Sequence, residues 1–190
     1  MNLLGLGLSG AGHWEDVLAV REAELSTDRR ICAPEHNILA SQGNLANAYQ
    51  MHGRLEETLK MYRDVQSGYA RLLGEETKEA LLAVFNRVLL LHDLERLEEA
   101  KSLVGKTLPT MRRALGECDD LTLRMKQLYA EALYKDDGAT LDYLREAEST
   151  LVETERTARQ VLGGAHPTVV NIEIVLRNAR AVLGARETSR

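Results

Sequence analysis

Leu45, Ala46 and Tyr49 stand at i, i+1 and i+4 in a largely polar stretch. That spacing puts them on one side of an α-helix. Tyr129, Ala130 and Leu133 repeat the arrangement further along. A second kind of stripe follows each: Leu55, Leu59 and Tyr62 after the first, and Leu97, Ala100 and Val104 in another copy. The small alanines let neighbouring helices approach closely. Runs of Val, Ile, Thr and Tyr with period two are absent, so no strand is predicted. Ala, Leu, Glu and Arg dominate the composition and are strong helix formers. The chain is predicted to be all-α.

The stripes recur with a fixed period. Arg71-Leu72-Leu73-Gly74-Glu75 returns as Arg113-Ala114-Leu115-Gly116-Glu117 after 42 residues, and as Gln160-Val161-Leu162-Gly163-Gly164 after 47 more. Gly53-Arg54-Leu55-Glu56-Glu57 matches Glu95-Arg96-Leu97-Glu98-Glu99 and then Asp142-Tyr143-Leu144-Arg145-Glu146 at the same two offsets. Two landmarks in phase define a repeat of a helix, a tight turn and a longer helix. The predicted units are 37–78, 79–120 and 121–168, with partial units at 1–36 and 169–184 and a tail at 185–190. The third unit is longer by five residues, expected between its helices around Lys135–Ala139.

Gly53 falls where the first helix must reverse, a corner that suits a left-handed backbone. Gly74, Gly116 and Gly163 fall where second helices end. One such hairpin cannot bury its apolar face, whereas stacked hairpins can, and the product is a solenoid with a concave wall.

Charge and cysteine content narrow the function. The chain of 190 residues carries a formal charge of −5, which argues against a generic nucleic-acid binder. Cys32 and Cys118 belong to no CxxC, so no disulfide framework is expected and a reducing compartment fits. No apolar run has the length of a membrane span, and the opening NLLGLGL lacks a secretory signal pattern. A cytoplasmic protein without membrane or nucleic-acid partners is the expectation.

The motif L-x-x-L-A-x-x-Y-x-x-x-G-R-x-E-E, read in Asn44–Tyr49 and Gly53–Glu57, resembles the tetratricopeptide repeats of kinesin light chains. Ala33-Pro34-Glu35-His36 and Leu162–Pro167 resemble the loop between those repeats. The resemblance implies a right-handed superhelical solenoid of antiparallel helix hairpins that is not an enzyme, needs no cofactor and binds peptide segments of partner proteins. This sequence departs from the pattern at Glu95, in the place of a turn glycine, at Thr58, in the place of a small alanine, and at Arg177, in a small-residue position. The last partial unit is expected to lack its second helix.

Other candidate chemistry is weaker. The glycines at 5, 7, 10 and 12 match the spacing of a phosphate loop, but only four residues precede Gly5 and no strand fits there. Gly12-His13-Trp14-Glu15-Asp16 aligns with the hairpin turn at Gly53, so residues 1–10 are expected to end an earlier helix and the chain to be an excerpt of a longer array. The histidines, at 13, 36, 52, 92 and 166, form no HxxxH or HExxH. His36 and His166, in inter-repeat loops, are expected to make structural hydrogen bonds or caps. Cys32 is expected to pack at a helix end, and Cys118 sits beside Asp119 and Asp120 in a loop. Glu56, Glu57, Glu98 and Glu99 fall early in second helices, where the helix dipole favours acids.

Recognition is therefore expected on the first helices, which line the concave wall of the arrays this chain resembles. The residues expected to face it are Asn44, Asn47, Gln50, Asn86, Leu89, His92, Arg124, Gln127, Glu131, Lys135, Asn171 and Asn178. Asn44 and Asn86 occupy one register position, 42 residues apart. In the resembling family, asparagines here hold the backbone of an extended peptide, which suits an amide's paired donor and acceptor. Two alternatives are the regulatory repeat region of a larger STAND-type signalling ATPase, and a scaffold that self-associates through open array ends.

Overall fold

The computed structural model describes residues 14–188. Among them are eight α-helices and no strand: α1 Trp14–Arg30, α2 Glu35–Met51, α3 Leu55–Leu73, α4 Lys78–Asp93, α5 Leu97–Leu115, α6 Asp120–Lys135, α7 Leu141–Leu162 and α8 Pro167–Thr188. The glycine-rich opening and the proposed turn at Gly12 lie outside the described residues. The helices divide into two compact units, one up to Leu90 and one from Leu91 onward.

In the first unit α1 packs on α2 and α2 on α3. Leu45, Ala46, Leu59 and Tyr62 are buried, as the two stripes require. Gly68 on α3 permits this packing, because a Cβ there would come within 2.3 Å of Leu39 Cδ2. Thr58 is fully buried in an alanine position, and its hydroxyl donates to the Arg54 carbonyl at 2.9 Å. That bond removes the cost of burying an unpaired hydroxyl. Ser41 on α2 donates to Asp28 on α1 at 2.6 Å.

In the second unit consecutive helices pack from α5 to α8, and α6 also meets α8. Two first-type helices thus lie side by side, the contact that distinguishes stacked hairpins from a bundle. Leu123, Ala130, Leu133, Leu144, Ala147, Leu151, Ile172 and Ala179 belong to one core there. The Thr168 hydroxyl ties the start of α8 to Asp120 at the start of α6, at 2.6 Å.

Four of the turns follow the glycine pattern. Gly53, Gly74, Gly116 and Gly163 have positive φ, while Glu95 takes φ 56° where the equivalent corner lacks glycine. Arg54 and Arg96 follow these corners, and each pairs bidentately with the glutamate three residues on, Glu57 and Glu99.

Three expectations need correction. Only two of the five extra residues lie in the α6–α7 turn, which spans 136–140 against 94–96 in the preceding hairpin. The other three lengthen α7 to 22 residues against 19 in α5. Thr140 accepts from the Tyr143 amide and so caps the added turn. α8 continues through Gly184 to Thr188, past the expected end of the last partial unit. Cys32 is exposed rather than packed, because the chain turns there with φ 51° and points the thiol outward.

Candidate functional site

The expected wall residues fall in both units, and each unit has its own geometry. In the first, α2 and α4 enclose a cavity of about 210 Å3. Leu39, Val65, Leu82 and Ala83 supply apolar lining, and Asn44, Asn47 and Asn86 add amides. Asn44 and Asn86 are half-buried, and their side-chain amides make no hydrogen bond with any described residue. Asn47 differs: its side-chain carbonyl accepts from the Tyr62 hydroxyl on α3, and Gln50 accepts a longer bond from the same hydroxyl at 3.3 Å. Leu89 is half-buried. Tyr62, Leu82, Tyr69 and Glu79 also line the cavity and escape the sequence reading. Their apolar or dipole-matched character assigns them to core or helix start, and only the fold turns them toward a shared space.

In the second unit, Gln127, Glu131 and Lys135 form a ladder along α6. Gln127 is buried, contrary to its expected place on the open wall, because its amide donates to Glu131 at 2.8 Å. Lys135 donates to the other Glu131 oxygen at 2.7 Å. Arg124 lies 3.9 Å from Asp120. Asn171 and Asn178 are exposed on α8.

A larger cavity of about 680 Å3 lies at the hairpin corners of this unit, between the Glu95 and Asp136 turns, with His92 and Lys135 at its edge. Lys101 on α5 pairs with Glu98 on its own helix and with Asp136 in the α6–α7 turn. The pair with Asp136 joins α5 to the next hairpin corner. The His92 ring nitrogens are closed off from solvent without a well-formed hydrogen bond. Burial holds the His92 pKa below its ordinary value, against the opposing pull of Glu131.

The remaining candidates have structural partners. His166 Nδ1 accepts from the Thr168 amide at 3.3 Å and caps α8. The His36 ring meets Tyr69 edge-on at 5.7 Å. Among the described residues no three His, Cys, Asp or Glu side chains cluster to hold a metal, and no helix is long and apolar enough to cross a membrane.

Comparison with known proteins matches this geometry. The tetratricopeptide repeat family matches residues 38–77, which span α2, α3 and the loop after them. Two crystal structures carrying the name of a Podosopora anserina putative kinesin light chain with nearly identical TPR-like repeats share the fold. One, a form with a single substitution, aligns with TM-score 0.77 at 20% identity over 97% of this chain and 85% of that one. The other aligns with TM-score 0.75 at 20% identity over 97% and 86%. BtubC (BKLC) from P. vanneervenii aligns with TM-score 0.67 at 15% identity over 97% and 78%. No curated protein sequence matches the chain. Tetratricopeptide repeats are in general protein–protein interaction modules, and their fold is typically non-catalytic. Residues 38–77 thus match the tetratricopeptide repeat, and the chain shares the fold of kinesin light chain-type repeat arrays.

Proposed function

We propose that the chain is a non-catalytic module that captures extended peptide segments of partner proteins on its first-type helices. One observation carries the reading: Asn44 and Asn86, whose side-chain amides hold no hydrogen-bond partner among the described residues, line one partly apolar cavity between α2 and α4. An amide that neither donates nor accepts within the fold is available to a peptide backbone, which needs both. The apolar lining supplies burial for a side chain of the same segment. The segment-sized site implies modest affinity, raised by avidity where several such sites act together.

The test is capture on the immobilised chain of a protease-digested lysate, followed by trimming of the retained peptides to the shortest bound segment. Retention by the parent and loss by Leu82→Asp is the expected result. Equal retention by both would place the binding surface elsewhere.

A further inference from the structure

The first-turn acids of the first-type helices differ in how they are used. Glu35 on α2 pairs with Arg71, and Asp120 on α6 accepts from Thr168. Glu79 on α4 makes no hydrogen bond or ion pair with any described residue, and it is the one of the three that lines the cavity between α2 and α4. No Lys, Arg or His lines that cavity. The repeat itself does not demand the carboxylate, since Asn37 and Leu121 hold the equivalent positions 42 residues before and after. Three residues beyond Glu79, Leu82 remains 44% exposed although it lines the same cavity. The volume suits one side chain and falls below that of an ordinary small-molecule pocket.

We propose that this cavity takes an apolar side chain of an extended peptide and that Glu79 selects a lysine or arginine beside that anchor. The inference rests on the peptide-groove reading and deepens it. A basic side chain lays its methylene stem along Leu82 while its head meets the carboxylate. Proximity of Glu79 to the cavity wall is also felt by Tyr69, whose hydroxyl is pushed up by burial and by the Glu79 charge.

The experiment is display selection of random nine-residue peptides on three chains: parent, Glu79→Lys and Leu82→Asp, each checked for unchanged helicity. The parent is expected to enrich an apolar residue with Lys or Arg within two positions, and Glu79→Lys to enrich the same anchor beside Asp or Glu. Exchanging Lys for Glu in an enriched peptide should weaken parent binding roughly tenfold at low salt, less at high salt. Enrichment without basic bias, or an identical set on Glu79→Lys, overturns the Glu79 assignment and leaves the groove reading standing. Enrichment of nothing above blank support overturns both. Peptides that bind Leu82→Asp as well as parent lie elsewhere, which also overturns the proposal. So does a parent dimer that becomes monomeric in Leu82→Asp, since a second copy then fills the cavity.

Discussion

The Tyr62 hydroxyl on α3 donates to the side-chain carbonyl of Asn47 on α2, and so fixes which way that amide faces. With the carbonyl oxygen engaged, the amino group of Asn47 is the part of the amide that this bond leaves unused. Tyr62 is 1% exposed and Asn47 is exposed, so the bond is partly buried. Tyr62→Phe keeps the ring and removes the donor. It is expected to lower stability by about 1 kcal/mol in urea unfolding. A midpoint equal to the parent's would show that the hydroxyl contributes nothing.

The paired amides at Asn44 and Asn86 give the direct test of the groove. Asn44→Ala combined with Asn86→Ala removes two amides that no other described residue uses. Helicity by circular dichroism should not change. Binding of a captured peptide should fall roughly 10- to 30-fold, the loss of two neutral hydrogen-bonding groups at about 1 kcal/mol each. Unaltered affinity in the double variant would remove these amides from the site.

The two hairpin corners make opposite predictions. Gly53 has φ 74° and Glu95 φ 56° at equivalent places. A side chain in this left-handed region costs about 1 kcal/mol. Gly53→Ala should therefore lower the melting temperature. Glu95→Gly should raise it, with the gain reduced by the greater freedom of glycine in the unfolded chain. Shifts of the same sign in both variants would refute the strain argument.

His92 makes stability fall in mild acid. Its folded pKa lies below the ordinary 6.5 because burial disfavours the charged ring, with Glu131 and Asp93 opposing and Lys135 reinforcing. Between the folded and unfolded values the unfolded chain binds the extra proton, so stability rises with pH across that window. The contribution is complete above about 6.5 and is lost as pH falls toward the lower folded value. Melts from pH 7.5 down to about 5 should decline less steeply in His92→Gln than in the parent. Parallel profiles would show that another group sets the slope.

The helices and the residues that bury them are legible in sequence because the stripe repeats: Leu45, Ala46, Leu59, Tyr62, Ala100 and Val104 are all in the core. Periodicity fails where one unit departs from the others. Arg87 occupies the register position of Leu45 and Tyr129, and one nitrogen of its guanidinium donates to Gln66, a residue that no spacing singles out. The wall residues are less legible. The helical face of Gln127 predicts exposure, but a local bond to Glu131 draws it in. Leu82 reads as core from its chemistry and is exposed because it borders a cavity rather than a packed neighbour. Such positions depend on which side chains meet across helices, and a one-dimensional pattern records only the face.

Cys32 follows α1 and Cys118 follows α5, and both thiols are free and exposed. One falls in each compact unit. A donor and an acceptor dye can therefore be coupled to the native chain without engineering a cysteine. Each dye would then report on the unit that carries it, and quenching on addition of a peptide would tell which unit the peptide reaches.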